Sequence, residues 1–284
     1  MTVLQTIILA IIQGLTEFLP VSSSGHLVIT SSLYKIISGQ DFIQAGSEEI
    51  FTDIMLHLGT LIAVIFFFRK DILNIIKAFI QACKTKDFSS LESKLPLYML
   101  LGTFFTIIIA YPLNEFCEKM VSSPVIVGIF LIITGFILYL SEHLSKNTQN
   151  NQECTKITLK QSIIIGIAQG IAACPGISRS GMTICAGLLT GLNRTTAARY
   201  SFLLSIIIIL GSSIFYPVLK LENQELAVFN WFNISIGFII SAIVGYFCVK
   251  YFMAFLNKYS MKCFAYYCWI VGLCAIIFFA ISIN

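Results

Sequence analysis

Residues 13–26 read QGLTEFLPVSSSGH and residues 169–183 read QGIAACPGISRSGMT. Both stretches are polar and glycine-bearing, and both interrupt apolar sequence of the kind that lies in a membrane. Polar and charged groups are costly in hydrocarbon, so they usually mark a functional site there. Both stretches begin with Gln-Gly and reach a Ser-Gly step at the same separation. We therefore interpret them as two copies of one structural device.

The composition predicts a helical membrane protein. Of the 284 residues, 57% are hydrophobic and 11% are charged, whereas a soluble domain carries about 25% charged residues. The net charge of +4 is too small to indicate nucleic-acid binding, and the nine cysteines show no spacing typical of a metal site. The fold class predicted is an all-α integral membrane protein, a single membrane domain over 1–284. The predicted spans are six long apolar runs near 51–68, 96–113, 124–140, 198–217, 231–250 and 264–282.

Two further apolar regions, 1–38 and 161–192, are broken in the middle by the polar stretches. Each half-segment has about 15 residues, fewer than the roughly 20 that a spanning helix needs. Irregular backbone at membrane depth is tolerated only where protein or water satisfies its polar groups. We therefore predict two re-entrant helical hairpins whose tips meet inside the protein.

The distribution of lysine and arginine predicts the orientation. Twelve basic residues fall in the segments 69–95, 141–160 and 250–262, against three in the connections predicted for the other side. Because cytoplasmic loops are enriched in Lys and Arg, both termini are expected outside. The halves, approximately 1–142 and 158–284, are then inverted relative to each other. Inverted repeats with broken helices place a binding site at their interface.

The second break predicts an anion site. Arg179 lies between two serines just after Pro175-Gly176, where one half-helix ends and the next begins. A helix N-terminus offers free N–H groups and a positive dipole end to an anion. The guanidinium adds a planar set of donors that matches phosphate oxygens.

The first break brings a carboxylate and a candidate nucleophile. Glu17 lies one helical turn after Gln13, and a divalent cation bridging Glu17 and a phosphate oxygen would compensate its charge. Gln13 is a tentative second metal ligand. Ser23, three residues before His26, suggests a nucleophile with a histidine base. A neutral, hydrogen-bonded Glu17 and a packed His26 are the structural alternatives.

Weaker candidates lie outside the two breaks. Asp53 and His57 are one helical turn apart at the start of the first span, where they would line the site entrance, bind metal or make a structural hydrogen bond. Arg194 and Arg199 are expected to be interfacial anchors.

The chain resembles the undecaprenyl-diphosphate phosphatase family, also called bacitracin-resistance proteins. Residues 13–26 match its (Glu/Gln)-x-x-x-Glu motif followed by Phe-Leu-Pro-Val-Ser-Ser-x-Gly-His, and residues 175–183 match Pro-Gly-x-Ser-Arg-Ser-Gly-x-Thr. The segments 56–60 and 197–202 also look familial. Many members carry Glu where this chain has Gln13, so this chain offers one carboxylate and one amide at these two positions.

The resemblance implies an enzyme that hydrolyses undecaprenyl diphosphate to undecaprenyl phosphate. That product is the lipid carrier for peptidoglycan synthesis, and bacitracin sequesters the diphosphate. A divalent cation, Mg²⁺ or Ca²⁺, a bacterial plasma-membrane location and a site facing the outer side are implied as well, and a homodimer is left open. The catalytic residues expected are Glu17, Ser23, His26 and Arg179. The substrate-binding residues expected are Gln13, Ser22, Ser24, Gly25, Gly176, Ser178, Ser180, Gly181 and Thr183.

Other readings remain open. A water molecule activated by His26 or Glu17 would attack in place of Ser23. A lipid or ion-coupled secondary transporter would use the same broken helices and buried Glu17. A lipid phosphatase of the phosphatidic-acid phosphatase type shares a Ser-Gly-His sequence, here residues 24–26, but its later Ser-Arg is followed by a histidine. No histidine follows Arg179 in this chain, which excludes the conventional form of that enzyme.

Overall fold

A computed structural model of the chain describes residues 1–39, 46–121, 123–145, 156–220 and 229–282. Within these ranges all regular secondary structure is helical. The helices are α1 (Val3–Thr16), α2 (Ser23–Ile37), α3 (Ser47–Phe67), α4 (Arg69–Thr85), α5 (Leu91–Val121), α6 (Pro124–Leu144), α7 (Leu159–Ile171), α8 (Arg179–Leu189), α9 (Arg194–Lys220), α10 (Trp231–Leu256) and α11 (Lys262–Ser282).

Six of these helices, namely α3, α5, α6, α9, α10 and α11, are long and apolar enough to cross a membrane. They carry large apolar side chains on their exposed faces, including Phe66, Phe104 and Phe136. Exposed apolar faces of this extent are expected where a helix contacts lipid rather than water. The predicted all-α membrane fold and its six spans are therefore confirmed, and the chain is a multi-pass membrane protein.

The four shortest helices form two helical hairpins, α1–α2 and α7–α8. The hydroxyl oxygens of Thr2 and Tyr34 lie 3.5 Å apart, so α2 returns to the level at which α1 begins. In the second hairpin the Gln161 side chain donates a hydrogen bond to the Thr190 carbonyl at 2.9 Å. Each pair thus enters the bundle and leaves it at the same end.

The first hairpin begins beside the N-terminal ends of α3 and α10. The N-terminal amine pairs with Glu48 at 3.7 Å, and the Glu48 carboxylate accepts a hydrogen bond from the Asn230 N–H at 3.2 Å. Asn230 is the N-cap of α10.

The second hairpin lies at the other end of α10. Its last helix leads directly into α9, whose first residue, Arg194, pairs with buried Glu142 at 2.6 Å. Glu142 also accepts a hydrogen bond from the Met261 N–H, just beyond the C-terminus of α10. Because the 26 residues of α10 span roughly 39 Å, the hairpins open to opposite ends of the bundle. The re-entrant placement of the hairpins in a bilayer stays a prediction. The boundary between the two halves also stays a prediction, and residues 146–155 of that boundary lie outside the described residues.

One helix was missed from the sequence. Helix α4 lies in the 69–95 segment that we interpreted as a connection, and it buries Ile75 and Ala82 while its lysines face outward. Arg199 pairs with Asp71 of this helix at 3.1 Å. Arg194 and Arg199 therefore form ion pairs with neighbouring helices. The sequence predicted only that they would anchor the protein at the membrane interface.

Aromatic side chains from four helical segments pack beneath the hairpin tips. Phe18, which follows α1, is buried and meets Phe202 of α9 edge to face at 5.3 Å between ring centroids. Phe68 and Phe252 pack against the same Phe202 ring. Cys117 of α5 forms a disulfide with Cys174, the residue before Pro175-Gly176. These contacts attach both tips to the surrounding helices.

Candidate active site

The tip of the first hairpin is built around Ser22. Its backbone has φ of 67°, a conformation that is unfavourable for residues other than glycine. The strain aims its hydroxyl at two backbone donors, the N–H of Gly25 at 3.3 Å and the N–H of Gly176 at 3.1 Å. Ser22 therefore caps α2 and joins the tips of the two hairpins.

The tip of the second hairpin has an equivalent cap. Ser178 accepts a hydrogen bond from the N–H of Gly181 at 3.0 Å, and Gly176 turns the chain with φ of 95°. Thr134 of α6 holds this turn because its hydroxyl donates to the Gly176 carbonyl and accepts from the Ser178 N–H. The backbone around the site is therefore fixed by hydrogen bonds within the protein.

A buried carboxylate lies where the two tips meet. Glu17 is 5% exposed, and its Oε1 accepts a hydrogen bond from Arg179 Nη2 at 2.6 Å. Its Oε2 accepts from the Ser23 hydroxyl at 2.6 Å and from the Gln13 amide at 2.8 Å. The structure thus brings together Glu17, Arg179, Ser23 and Gln13, which the sequence predicted for one site.

One nitrogen of the Arg179 guanidinium donates no hydrogen bond to any residue that the structure describes. Its Nη1 is buried and has no hydrogen-bond partner within the described part of the chain. A buried charged donor without an acceptor is costly, and a phosphate oxygen is a matching acceptor. Pairing to Glu17 therefore leaves Arg179 able to bind an anion as well.

A cavity of about 160 Å³ adjoins this ion pair. It is several times larger than the about 30 Å³ share of one liquid water, and smaller than the roughly 300 Å³ at which drug-sized pockets begin. That size suits a headgroup rather than a whole lipid. The polar side chains in its wall are Glu17, Ser22, Ser23, Ser24, His57, Ser178, Arg179, Ser180 and Ser212, and the apolar ones are Ala172, Ile177, Ile208 and Ile209.

Several residues that were predicted to bind substrate do not line the cavity but contact the residues that do. Gly25 and Gly176 form the contact between the tips, since a Cβ on Gly25 would lie 3.0 Å from the Gly176 Cα. The N–H of Gly181 is already taken by Ser178. Thr183 bonds to Ser201 of α9 at 2.6 Å and is not among the residues of the cavity wall. By contrast, Ser22, Ser24, Ser178 and Ser180 line the cavity as expected.

His26 is not paired with Ser23 in this structure. Its Nδ1 donates to the Ser22 carbonyl at 2.8 Å and its Nε2 lies 2.9 Å from the Tyr267 hydroxyl. The ring stacks on Tyr267 and is absent from the cavity wall, whose residues are all in the described part of the chain. Ser23 bonds instead to Glu17, and both ring nitrogens of His26 are engaged elsewhere. The structure therefore does not bring Ser23 and His26 together as the predicted nucleophile and base.

His57 occupies the position in the cavity that was expected for His26. Its Nε2 lies 3.5 Å from Glu17 Oε2, and its Nδ1 donates to the Asp53 backbone carbonyl at 2.7 Å. The spacing of Asp53 and His57 in the sequence pointed to this position. It did not show whether the two side chains bind a metal or make a structural hydrogen bond. Ser212, Ile208 and Ile209 of α9 gave no signal at all.

The donor set fits a cation that a substrate completes. No group of three or more His, Cys, Asp or Glu side chains forms a metal site within the ranges that the structure describes. Gln13 Oε1, however, is buried and without a hydrogen-bond partner among these residues, and it lies on the same side chain that contacts Glu17. Mg²⁺ is commonly held by one or two carboxylates together with substrate phosphates. A carboxylate with an adjacent unpaired amide oxygen is compatible with that pattern.

Comparisons with known proteins cover nearly the whole chain. The family model of bacitracin resistance protein BacA matches residues 6–274. An undecaprenyl-diphosphatase of Halothermothrix orenii is 41% identical over 277 residues, which are 98% of each chain. Similar proteins include an undecaprenyl-diphosphatase of Methanosphaera stadtmanae, 39% identical over 97% of each chain. An undecaprenyl-diphosphatase 2 of Stutzerimonas stutzeri is 36% identical over 99% of each chain.

Proposed function

Because the chain belongs to the family of bacitracin resistance protein BacA, we propose that it hydrolyses undecaprenyl diphosphate to undecaprenyl phosphate and inorganic phosphate in the plasma membrane. The observation that carries the proposal is the ion pair of buried Glu17 with Arg179 beside the Ser23 hydroxyl, in the wall of a half-open cavity. The reaction regenerates the lipid carrier for cell-wall synthesis. It also removes the diphosphate lipid that bacitracin sequesters, which accounts for resistance.

Arg179 binds the terminal phosphate in this proposal. Its unpaired Nη1 and the serine hydroxyls of both tips donate hydrogen bonds to the phosphate oxygens. Phosphoryl transfer depends mainly on positioning and on stabilising charge at those oxygens. The apolar wall of Ile177, Ile208 and Ile209 takes the first part of the prenyl chain, which continues into the bilayer.

Ser23 is the nucleophile. Its oxygen forms a bond to the terminal phosphorus, the bond from that phosphorus to the bridging oxygen breaks, and undecaprenyl phosphate leaves with the electron pair. The Ser23 proton passes to Glu17, to which the hydroxyl is already bonded at 2.6 Å. Water then hydrolyses the phosphoserine, and the proton returns to Ser23 as inorganic phosphate departs. His26 holds the Ser22 carbonyl and so positions the turn that presents Ser23.

A divalent cation, Mg²⁺ or Ca²⁺, would be held by Glu17 with Gln13 and by the phosphate oxygens of the substrate. Its contribution when bound is to neutralise charge on the diphosphate.

Purified protein in detergent provides the test. We expect it to release phosphate from a C55 diphosphate, and we expect chelator to abolish the release. Arg179→Ala should release phosphate about 10³-fold more slowly at the same protein concentration and with the same elution profile. Wild-type protein that releases no phosphate with a divalent cation present would contradict the proposal.

The same assay addresses a transport function. Helical hairpins that open to opposite ends of the bundle are also the architecture of secondary transporters. A phosphatase needs no sealed compartment, whereas a transporter shows its activity only across one. Turnover in detergent with no lipid movement in proteoliposomes would leave hydrolysis as the sole activity.

We also propose that both termini and the cavity face outward. The twelve-to-three split of basic residues supports this orientation. Ile208, Ile209 and Ser212 lie nearer to Lys220, at the outer end of α9, than to Arg194 at its inner end. Cys83 is free and exposed on α4. In a variant that keeps Cys83 and lacks the other accessible thiols, a membrane-impermeant maleimide should not label intact cells. Ready labelling would reverse the orientation.

A further inference from the structure

Of the chain's three histidines, all of which the structure describes, His57 alone lines the cavity. Its side chain is 29% exposed and comes from α3, which belongs to neither hairpin. The reaction outlined above gives it no task.

The hydrogen bond at the far side of the ring fixes which nitrogen faces the cavity. Nδ1 lies 2.7 Å from the Asp53 backbone carbonyl, and a carbonyl oxygen only accepts hydrogen bonds, so Nδ1 carries the hydrogen. In the neutral ring Nε2 then presents a lone pair toward Glu17. Histidines that ligate metals commonly donate their other N–H to a backbone carbonyl in this way, which fixes the tautomer and the ring orientation.

The distance between His57 and Glu17 suits two ligands of one ion. Nε2 and Oε2 are 3.5 Å apart, whereas a direct N–H···O hydrogen bond measures about 2.7 to 3.2 Å. Two ligand atoms that are each about 2.1 Å from an ion lie about 3.0 to 3.5 Å apart at octahedral to tetrahedral angles. The unpaired Gln13 Oε1 is a further oxygen beside Glu17.

We propose that His57 Nε2 and Glu17 Oε2 together bind the divalent cation of this site, and that phosphate oxygens and water complete its coordination. The proposal rests on the phosphatase function and adds a ligand to it. An imidazole beside a carboxylate favours Mn²⁺, Co²⁺ or Zn²⁺ over Mg²⁺ and Ca²⁺, which prefer oxygen ligands alone. His57 would therefore raise the affinity of the site for these metals relative to the Mg²⁺ or Ca²⁺ proposed above.

Metal binding at Oε2 requires a change at Gln13. That oxygen now accepts hydrogen bonds from Ser23 and Gln13, so one of these donors must turn away. The Ser23 bond is the path by which the proton reaches Glu17 in the reaction proposed above, and the Gln13 amide is therefore the group that turns. Its unpaired Oε1 then takes the place of its NH₂ group beside the ion.

Mn²⁺ is the probe for the test. Metal-free wild-type protein in detergent is titrated with Mn²⁺ in the presence of inorganic phosphate, and pulsed electron paramagnetic resonance detects any coordinated imidazole nitrogen. We expect a nitrogen coupling in the wild type that disappears in His57→Gln. The dissociation constant for Mn²⁺ should rise by at least about tenfold in that variant, and the rise for Mg²⁺ should be smaller. His26→Gln and the exposed His143→Gln serve as matched controls and should keep the coupling.

The assignment is overturned if wild-type protein shows no coupling, if His57→Gln keeps it, or if His26→Gln loses it. Should His57→Gln not fold, the wild type and the two control variants decide the matter, because a histidine coupling that survives both controls belongs to His57. Phosphate release is measured on the same preparations. If the protein hydrolyses the substrate but shows no nitrogen coupling, only the assignment of His57 as a metal ligand is contradicted. If it shows the coupling but no hydrolysis, the proposed phosphatase function is contradicted.

Discussion

Hairpins α1–α2 and α7–α8 are built on the same caps. Thr2 and Thr158 cap the first helix of each pair, and Ser22 and Ser178 cap the second by accepting the N–H three residues on. The side chains near the tips differ. Where the first hairpin has Glu17 the second has an alanine, and where the first has Ser23 the second has Arg179.

The difference shows how a repeated backbone comes to hold one asymmetric site. The carboxylate and the nucleophile are on one hairpin, and the guanidinium that binds phosphate is on the other. Neither hairpin contains both charges, so the site forms only where the tips meet. Each buried charge also compensates the other, because an isolated one would be costly at this depth.

The largest effect is expected from Ser23→Ala, which removes the reactive group that the first hairpin has and the second lacks. Loss of a nucleophile leaves only binding and charge stabilisation, so turnover should fall by about 10⁴-fold or more. Ser24→Ala is the matched control, since Ser24 lines the same cavity, and it should stay within about tenfold of wild type. A phosphoserine should be trapped by acid quench in the wild type and be absent from Ser23→Ala. Near-normal turnover of Ser23→Ala would favour direct attack by water.

Arg179→Ala removes the charge of the second hairpin. Without the guanidinium the developing charge on the phosphate loses its fixed donor, and turnover should fall by about 10³-fold. Arg179→Lys keeps the charge but not the planar set of donors, so it should recover only part of the rate. Arg199→Ala is a control, since Arg199 is 48% exposed and pairs with Asp71. If the Arg179→Ala enzyme kept wild-type turnover, the ion pair of Glu17 and Arg179 would have only a structural role.

The sequence was sufficient for those parts of the fold that depend on local composition. Six uninterrupted apolar runs predicted the six spans, because a bilayer sets the required length. The charged residues inside the two broken regions predicted that Glu17 and Arg179 share one site, because neither charge is stable alone in hydrocarbon. Both arguments need no knowledge of how side chains pack.

The sequence was insufficient wherever the answer lies in contacts between distant segments. The His26 ring stacks on Tyr267 of α11, and its Nε2 lies within hydrogen-bond distance of the Tyr267 hydroxyl rather than of Ser23. No residue near position 26 in the sequence indicates this contact. The Cys117–Cys174 pairing and the cavity wall from α9 likewise arise from packing. Helix α4 did leave a signal in its spaced apolar residues, which we interpreted as part of a basic connection.

An intermediate effect is expected from Gly25→Ala, which pushes the two tips apart. The added Cβ would lie 3.0 Å from the Gly176 Cα and 3.2 Å from its N, and backbone atoms held by Ser22 and Thr134 have little room to shift. A displacement of this size at a reacting centre can cost about 10²-fold in rate. The measurement is phosphate release per folded molecule. Gly211→Ala, whose Cβ would meet nothing within 4 Å, should leave the rate unchanged, and equal rates for the two variants would mean that the tips need not touch.

The smallest effects are expected from the caps, and they test how far the two hairpins are equivalent. Ser178→Ala removes the cap of α8 and should lower the free energy of unfolding by about 1 kcal/mol. Ser22→Ala removes a cap and also the bond to the Gly176 N–H, so its loss should be larger. Unfolding in mixed detergent, followed by circular dichroism, measures both, with the exposed Ser282→Ala as the control. Equal losses at Ser22 and Ser178 would show that the bond between the tips adds nothing to stability, and that the strained φ of Ser22 is kept for the position of Ser23 alone.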